Sequence, residues 1–318
     1  MPLYPLKFVP LYKTKVWGGR LLGSALNRGL PPGEPIGESW ELADRDDNNS
    51  IIRNGTWAGM SMRELLQKER RQIMGDRLAL RYPAEFPLLI KFIDASDDLS
   101  IQVHPDDDMA SQLAHDSGKT EFWYIIRTEP ETIINYGIQP GIDRDMVESS
   151  IRSGRIRHIL QFYPVEAGDS LFIPAGCVHA IMKGTLLAEI QQNSDVTYRL
   201  YDWDRPGLDG RPRPLHLDQG MAALKLFPNL KIRSARHPSS RLADCPYFRI
   251  DRISLQPGQS IPILIDHPVI LMIIRGKGSI GSESFDLGET ILLPAGLKIT
   301  ELKNRPETDA LILKISVK

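Results

Sequence analysis

The chain has 318 residues, of which 42% are hydrophobic and 25% charged, and its formal net charge is −1 at pH 7. These values are ordinary for a globular protein, and the length allows two or three domains or one large β-rich unit with insertions. Because there is no basic excess to neutralise a phosphate backbone, we expect no nucleic-acid partner, although a small anion needs only a local pair of cations.

Signals for membranes and secretion are also missing from the sequence. There is no run of about 18 apolar residues, and no leader with a basic start, an apolar core and a cleavage site precedes Leu3. The two cysteines, Cys177 and Cys245, are too few for a disulfide framework. We therefore expect a cytoplasmic protein with no membrane partner.

The predicted elements indicate a mostly β protein with helical insertions. In the first sixty residues, glycine and proline break short apolar segments, which favours strands and tight turns. Ser61 and Glu64 have the spacing of a helical capping box. Residues 86–93 and 120–126 are predicted as strands, and the acidic segment 105–119 as a loop. Helical insertions are predicted at about residues 61–75, 143–160 and 217–226.

A β-only region follows a Pro/Ser-rich linker around residues 237–240, and it echoes an earlier part of the chain. Residues 167–179 and 287–299 each combine a Gly-acid turn, a short apolar strand and Pro-Ala-Gly. The earlier copy has His179 where the later copy has Ile299. We predict two related β-barrels, a catalytic unit at residues 1–235 that carries the metal site and a unit at residues 236–318 without metal ligands.

Residues 99–106 are the most informative segment. If this segment is a strand, its alternation places Ser100, Gln102 and His104 on one face, while Ile101 and Val103 face the packing side. Burying such polar groups without partners costs about 1–3 kcal/mol each. A metal ion or a polar ligand would satisfy them.

Four candidate metal ligands, Gln102, His104, Glu121 and His179, come from three separated strand segments. Two imidazoles, a carboxylate and an amide oxygen suit one divalent ion, with Zn²⁺ as the default and Mn²⁺, Fe²⁺, Co²⁺ or Ni²⁺ as substitutes. The alternative for each residue is a hydrogen-bonded core or surface side chain.

Further charged residues have two open interpretations. Glu189 would enter the same cavity as His179 if its strand is central, or face solvent if the strand lies at an edge. Arg199 and Arg205 are either surface cations or anchors for an anionic substrate group, for which the guanidinium fork is suited.

Several segments resemble the type I mannose-6-phosphate isomerases of the cupin superfamily, in their shorter bacterial form. They are residues 37–41 (Gly-Glu-Ser-Trp-Glu), 99–106 (Leu-Ser-Ile-Gln-Val-His-Pro-Asp), 118–121 (Gly-Lys-Thr-Glu), 173–180 (Ile-Pro-Ala-Gly-Cys-Val-His-Ala) and 189–199. The resemblance implies two cupin-like barrels of the double-stranded β-helix or jelly-roll type. It also implies a zinc enzyme that interconverts mannose 6-phosphate and fructose 6-phosphate.

Residue by residue, the resemblance implies a site with three groups of residues. The metal ligands would be Gln102, His104, Glu121 and His179, the active-site residues Lys119, Glu189 and Arg199, and the phosphate-side residues Ser100 and Arg205. Arg205 stands where longer relatives have a lysine, and Ile181 stands where they have an aromatic residue.

As a mechanistic hypothesis, Glu189 is the principal candidate for general acid/base catalysis, while Lys119 or a water on the metal could remove the carbon-bound proton. Two other functions compete with the isomerase, namely an Fe²⁺-dependent cupin oxygenase and a non-catalytic sugar-binding or regulatory cupin. Monomer and homodimer both stay open.

Overall fold

The structure is a computed structural model that describes residues 2–46, 48–237 and 239–318. The strands are β1 (Leu6–Val9), β2 (Leu11–Gly19), β3 (Ile36–Leu42), β4 (Asp44–Arg45), β5 (Asn48–Asn49), β6 (Ile51–Ile52), β7 (Leu88–Ala95), β8 (Ile101–Val103), β9 (Glu121–Thr128), β10 (Ile133–Ile138), β11 (Leu160–Pro164), β12 (Ser170–Ile173), β13 (His179–Ile181), β14 (Thr185–Gln192), β15 (Tyr198–Tyr201), β16 (Arg241–Asp244), β17 (Phe248–Leu255), β18 (Ser260–Leu264), β19 (Val269–Arg275), β20 (Gly278–Ile280), β21 (Glu283–Phe285), β22 (Thr290–Leu293), β23 (Ile299–Asn304) and β24 (Ala310–Val317). The α-helices are α1 (Leu21–Leu26), α2 (Met62–Arg81), α3 (Asp107–Leu113), α4 (Arg144–Arg152) and α5 (Leu217–Ala223).

The first barrel consists of two antiparallel sheets that share one core. Their strand orders are β11-β10-β13-β8-β15 and β12-β9-β14-β7-β3-β2. Side chains from both sheets, including Trp123 of β9 and Ile134 of β10, belong to one buried apolar cluster. Two sheets that bury their inner faces against each other form the sandwich-like barrel that the sequence predicts.

The second barrel has a similar construction, with strand orders β16-β17-β24-β19-β22-β1-β6 and β18-β23-β20-β21. The N-terminal strand β1 joins this barrel, where Leu6 pairs with Leu292 of β22. The first residues of the chain therefore help to build the sheet of its last residues. The division of the chain into residues 1–235 and 236–318 stays a prediction.

The internal echo corresponds to matching structure in the two barrels. Gly168 and Gly288 have φ angles of 95° and 82°, which favour glycine, and each precedes a short strand, β12 or β22. After Pro-Ala-Gly, His179 opens β13 and Ile299 opens β23. The same topological position therefore holds a candidate metal ligand in the first barrel and an aliphatic side chain in the second.

The predicted helical insertions are confirmed, although one is longer than expected. The capping box of Ser61 and Glu64 opens α2. The helix does not end near Gly75, where the backbone breaks with φ 73°, but resumes and continues to Arg81. The continuation buries Leu78, so the apolar face extends beyond the glycine. Helices α4 and α5 fall inside the other two predicted segments.

Two helices were not predicted. Helix α3 lies in the acidic segment that we expected to be a loop, and the carboxylate of Asp106 caps it by accepting a hydrogen bond from the Met109 amide at 3.1 Å. Helix α1 lies among the N-terminal strands and turns, and Leu21 and Leu22 at its start donate to Asp94. Because Asp94 is far away in the sequence, no local capping residue predicts α1.

Of the predicted linker around residues 237–240, Pro238 lies outside the described residues.

Among the residues that the structure describes, no helix is both long and apolar enough to cross a membrane.

Substitutions in β1 test how much this strand contributes to the second barrel. Leu6 is fully buried, whereas Val9 of the same strand is 44% exposed. We expect Leu6→Ala to lower the free energy of unfolding by about 2–5 kcal/mol, because it leaves a cavity in the core. Val9→Ala should change it by less than about 0.5 kcal/mol. Urea denaturation compares the two variants, and equal losses would contradict this packing of β1.

Candidate metal centre and adjoining cavity

Strand pairing places three of the predicted residues side by side. In the first barrel, Gln102 of β8 pairs with His179 of β13 on one side and with Arg199 of β15 on the other. Strand β8 is shorter than predicted, so Ser100 and His104 flank it rather than lie within it. They are nevertheless buried, with 4% and 1% exposure.

Glu121 lies between the two predicted histidine ligands. Its Oε1 is 3.2 Å from Nε2 of His104, and its Oε2 is 3.6 Å from Nε2 of His179. One ligand atom from each of these three residues lies within 4.8 Å of the others. The side-chain amide of Gln102 approaches Nε2 of His179 at 3.3 Å, and an amide can present either its oxygen or its nitrogen.

Backbone carbonyls orient both imidazole rings. Nδ1 of His104 lies 2.8 Å from the Val196 carbonyl oxygen, and Nδ1 of His179 lies 3.0 Å from the Cys177 carbonyl oxygen. A carbonyl only accepts, so each Nδ1 carries the proton, and the lone pair of each neutral ring is on Nε2. Such outer hydrogen bonds are typical of metal-binding histidines.

The inner polar atoms are unsatisfied. Within the described part of the chain, Nε2 of His104 and both carboxylate oxygens of Glu121 are buried without a hydrogen-bond partner. Leaving a buried polar group in this state costs about 1–3 kcal/mol, and more for a charged one. The lone pair of His179 converges on the same space. Two imidazole lone pairs and a carboxylate in this arrangement fit a bound cation, which would satisfy the unpartnered atoms.

The electrostatic environment keeps this donor set deprotonated. Burial and the charge of Lys119 lower the pKa of His104 to about 3, and burial lowers the pKa of His179 as well. Burial opposes the charged form of Glu121, but His104 and Lys119 outweigh it and hold its pKa well below the ordinary value. Metal ligands must be deprotonated, so these shifts favour metal binding at neutral pH.

A ladder of alternating charges runs beside this centre. The Lys15 ammonium is 3.0 Å from Oε1 of Glu38, Lys91 is 3.8 Å from Oε2 of Glu38, and Lys91 is also 3.2 Å from Oε2 of Glu189. The indole of Trp123 donates to Oε1 of Glu189 at 3.0 Å. Glu189 therefore faces the cavity, which decides between the two interpretations of its strand.

The pKa values of Lys91 and Glu189, the last two members of the ladder, are both raised, which favours the charged form of Lys91 and the neutral form of Glu189. Burial and the charge of Glu121 raise the pKa of Glu189, against the opposing effect of Lys91. Burial disfavours the charge on Lys91, but Glu189 and Glu38 outweigh it and raise its pKa. Lys91 is therefore a fixed cation, and of the two carboxylates in the ladder Glu189 is easier to protonate than Glu38, whose pKa is lowered.

The ladder lines a cavity of about 260 Å³ next to the metal centre. Five cationic and three anionic side chains contribute to its wall, which suits an anionic ligand. The predicted residues on the wall are Ser100, Gln102, Lys119, Glu189 and Arg199, and the unpredicted ones include Lys15, Trp17, Glu38, Lys91, Asp195, Thr197 and Arg213.

The structure does not bring Arg205 to this wall. Its guanidinium lies 2.7 Å from Asp97 and also contacts Asp202 at 3.4 Å. Arg213 lines the cavity instead, and its Nε donates to Asp202 at 2.6 Å. The sequence signal for Arg213 is weak, because it lies in an irregular segment with other arginines, and only the fold selects one of them.

A larger groove of about 830 Å³ lies at one end of the second barrel. Its cations, Arg275, Lys277 and Arg305, are matched by Asp286, Glu307 and Asp309. The first-barrel cavity is the better candidate site, because it adjoins buried polar atoms that need a ligand.

Comparisons with known proteins agree with this site. Residues 6–132 match the family model of the phosphomannose isomerase type I catalytic domain. The chain is 34% identical to a mannose-6-phosphate isomerase of Bacillus subtilis, over 96% of this chain and 98% of the relative. It is 33% identical to a mannose-6-phosphate isomerase of Streptococcus mutans, over 92% and 93%.

Solved structures give the same result. A crystal structure of the mannose 6-phosphate isomerase from Bacillus subtilis matches with a TM-score of 0.83 and 28% identity, covering 98% of this chain and 99% of that one. The similarity thus extends over both barrels. This chain belongs to the mannose-6-phosphate isomerase family, the type I phosphomannose isomerases.

Proposed function

We propose that this enzyme interconverts mannose 6-phosphate and fructose 6-phosphate in the first-barrel cavity, with one Zn²⁺ held by Gln102, His104, Glu121 and His179. The observation that carries the proposal is the buried cluster of His104, Glu121 and His179, in which Nε2 of His104 and both oxygens of Glu121 lack a hydrogen-bond partner among the described residues, beside a cavity with a cationic excess. Amide, imidazole and carboxylate ligands suit zinc. A phosphorylated sugar would fill a charged cavity of this size.

The reaction moves a proton between C1 and C2 and another between O1 and O2. When bound, a divalent ion supplies Lewis-acid stabilisation of the negative charge that develops on the sugar oxygens. The protein residues must bind the open-chain sugar, orient it and carry the protons.

Glu189 is the proposed general acid/base. Its raised pKa brings it closer to the working pH, where a carboxylate can both take and return a proton. Trp123 and Lys91 each contact one of its oxygens and so fix the direction of the carboxylate. Lys119, whose ammonium is 3.4 Å from Glu121, is the alternative group for the carbon-bound proton.

The phosphate end is proposed to lie near Ser100, Arg199 and Arg213. The Arg199 guanidinium donates to the Pro214 carbonyl oxygen at 2.8 Å, while its Nε is buried without a partner among the described residues. The carboxylate of Asp202 accepts a hydrogen bond from Nε of Arg213 and so fixes the guanidinium group. Two positioned guanidinium groups and a hydroxyl are suited to a phosphate dianion.

A coupled assay of fructose 6-phosphate formation tests the function. Activity should disappear with a chelator and return with Zn²⁺. His179→Ala should lose metal and lower kcat/KM by at least about 10²-fold, because a ligand is gone. Glu189→Gln should keep the metal but lower kcat by about 10²–10⁴-fold, as expected for a lost general acid/base.

Elemental analysis of both variants separates binding from chemistry. If wild-type protein holds one metal and binds the sugar phosphate but does not turn it over, the non-catalytic cupin replaces the isomerase. Oxygen consumption with Fe²⁺ would instead favour the oxygenase.

Matched arginine variants test the phosphate end. Arg213→Ala should lower kcat/KM by about 10–100-fold, the loss of a charge-assisted hydrogen bond. Arg205→Ala should change it by less than about threefold, because this guanidinium is paired with Asp97 and does not line the cavity. The competitive inhibition constant of inorganic phosphate should rise only in the Arg213 variant. The opposite ranking would restore Arg205 to the phosphate site.

Acidification should destabilise the metal-free protein before ordinary carboxylates titrate. His104 has a pKa of about 3 when folded and about 6.5 when unfolded, so protons bind preferentially to the unfolded chain between these values. Its stability contribution is present above pH 6.5 and decreases as the pH falls. Urea unfolding from pH 6.5 to 5 should show this decrease, and His104→Gln should reduce its slope, while the lowered pKa of His179 keeps part of it.

A further inference from the structure

The second barrel contacts the segment that carries Lys119 and Glu121 through an identifiable set of hydrogen bonds. Tyr247 lies in the turn between β16 and β17 of that barrel. Its hydroxyl donates to Oδ2 of Asp107, the first residue of α3, at 2.7 Å. The contact joins an element of the second barrel to an insertion of the first.

Asp107 uses its other oxygen on the first barrel. Oδ1 of Asp107 accepts from the Gly118 amide at 2.9 Å and from Nε2 of Gln192 at 2.8 Å. The fit at Gly118 is close, since a Cβ there would lie 2.5 Å from the backbone nitrogen of Asp107. Both oxygens of one carboxylate therefore connect Tyr247 to the residue that precedes Lys119.

Gln192 extends the connection to the residue after Lys119. The side-chain Oε1 of Gln192 accepts from the backbone amide of Thr120 at 2.9 Å. The backbone amide of Gln192 donates to the Thr120 carbonyl oxygen at 3.2 Å. Lys119 is thus held between Gly118 and Thr120, and Glu121 follows directly. Gly118, Lys119, Thr120 and Gln192 are all buried, so water has little access to the bonds between Gln192 and Thr120, whereas Asp107 and its bond to Tyr247 are exposed.

The far end of the connection is anchored as well. The backbone carbonyl of Tyr247 accepts from the Lys318 amide at 3.0 Å, so the last residue of the chain fixes the turn. Next to it, Tyr82 of the first barrel donates to the Lys318 carbonyl oxygen at 3.1 Å without bonding to Asp107. Tyr82 and Tyr247 line the same cleft of about 450 Å³, which makes Tyr82 a matched control.

We propose that Tyr247 and Asp107 are positioning residues, through which the second barrel holds the Gly118–Thr120 backbone and thereby aims Lys119 and Glu121 into the active site. The inference rests on the proposed function, in which Glu121 is a metal ligand. Neither residue touches the proposed substrate or metal. Each acts by restricting the movement of the backbone at residues 118–120, directly before β9, from which Lys119 and Glu121 project.

Three variants test this role, with zinc retention as the main readout. Asp107→Ala removes all three acceptor contacts, and we expect Zn²⁺ to transfer to a competing chelator about tenfold faster, the lower range for residues behind a metal ligand. Asp107→Asn keeps an acceptor for Gly118 and Gln192 and should lie close to wild type. Tyr247→Phe should have a smaller effect, about threefold, because it removes one neutral donor.

Coupling between the residues gives a sharper criterion. If Tyr247 acts through Asp107, Tyr247→Phe should add nothing in the Asp107→Ala background, whereas independent effects would multiply. The same variants should lower kcat more than they change KM, and should speed hydrogen exchange of the Gly118 and Thr120 amides. Tyr82→Phe should leave all these quantities unchanged.

The outcomes separate failure of this inference from failure of the proposed function. A wild-type protein without metal or turnover would overturn the function itself. With an active wild type, either of two results would overturn the positioning role: zinc transfer unchanged in Tyr247→Phe, or effects of Tyr247→Phe and Asp107→Ala that multiply in the double variant. If Asp107→Ala fails to fold, Tyr247→Phe and Tyr82→Phe still decide by their zinc transfer rates: faster transfer in Tyr247→Phe alone supports the role, and equal rates refute it.

Discussion

The first barrel is organised around one buried carboxylate. Glu121 is fully buried, and both of its oxygens lack a hydrogen-bond donor among the residues described. Burial opposes the charge, and the neighbouring cation that favours it is the ammonium of Lys119, 3.4 Å from Oε1. A buried charge is tolerated when it is paired or coordinates a metal. The geometry of the centre follows from this requirement, since each histidine presents a lone pair toward the same space.

The same constraint explains the composition of the cavity wall. Lys15, Glu38, Lys91 and Glu189 alternate in sign, so each buried charge contacts an opposite one. Removing one member would leave its neighbour uncompensated, which is more damaging than losing a surface ion pair. The alternation of charges also keeps most of these groups in one protonation state, because the pKa of Lys91 is raised and the pKa of Glu38 is lowered. The pKa of Glu189, at the end of the ladder, is raised, whereas that of Glu38 is lowered, which agrees with the acid/base role proposed for Glu189.

How much of this the sequence could predict depends on the range of the interactions. The mostly β fold, the helical insertions and the repeated Pro-Ala-Gly segments follow from local patterns, and the structure confirms them. Helix α1 was missed because its capping carboxylate, Asp94, is remote in the sequence. The pairing of β1 with β22 was missed for the same reason.

Within the site, residues next to strong motifs were found and isolated ones were not. Gln102, His104 and His179 are close together because β8 and β13 are neighbours, which matches the alternation in the sequence. Lys91 lies in an apolar run without any polar neighbour to mark it, yet on β7 it pairs directly with Glu189 of the adjacent strand β14. Arg213 and Arg205 have similar sequence surroundings, and only the carboxylates around them, Asp202 and Asp97, determine which one reaches the cavity.

The second barrel illustrates how a related unit can lose its ligands and still affect the site. At the position that corresponds to His179 it has Ile299, which is 56% exposed, so the echo has no donor there. Its sheet is completed by β1 from the start of the chain, and its first turn contacts α3 through Tyr247. Because the carboxylate of Asp107 bonds to Tyr247 and to the Gly118 amide, displacement of this turn must reach the strand that begins with Glu121. Support of the fold and precision of the active site are therefore carried by the same contact.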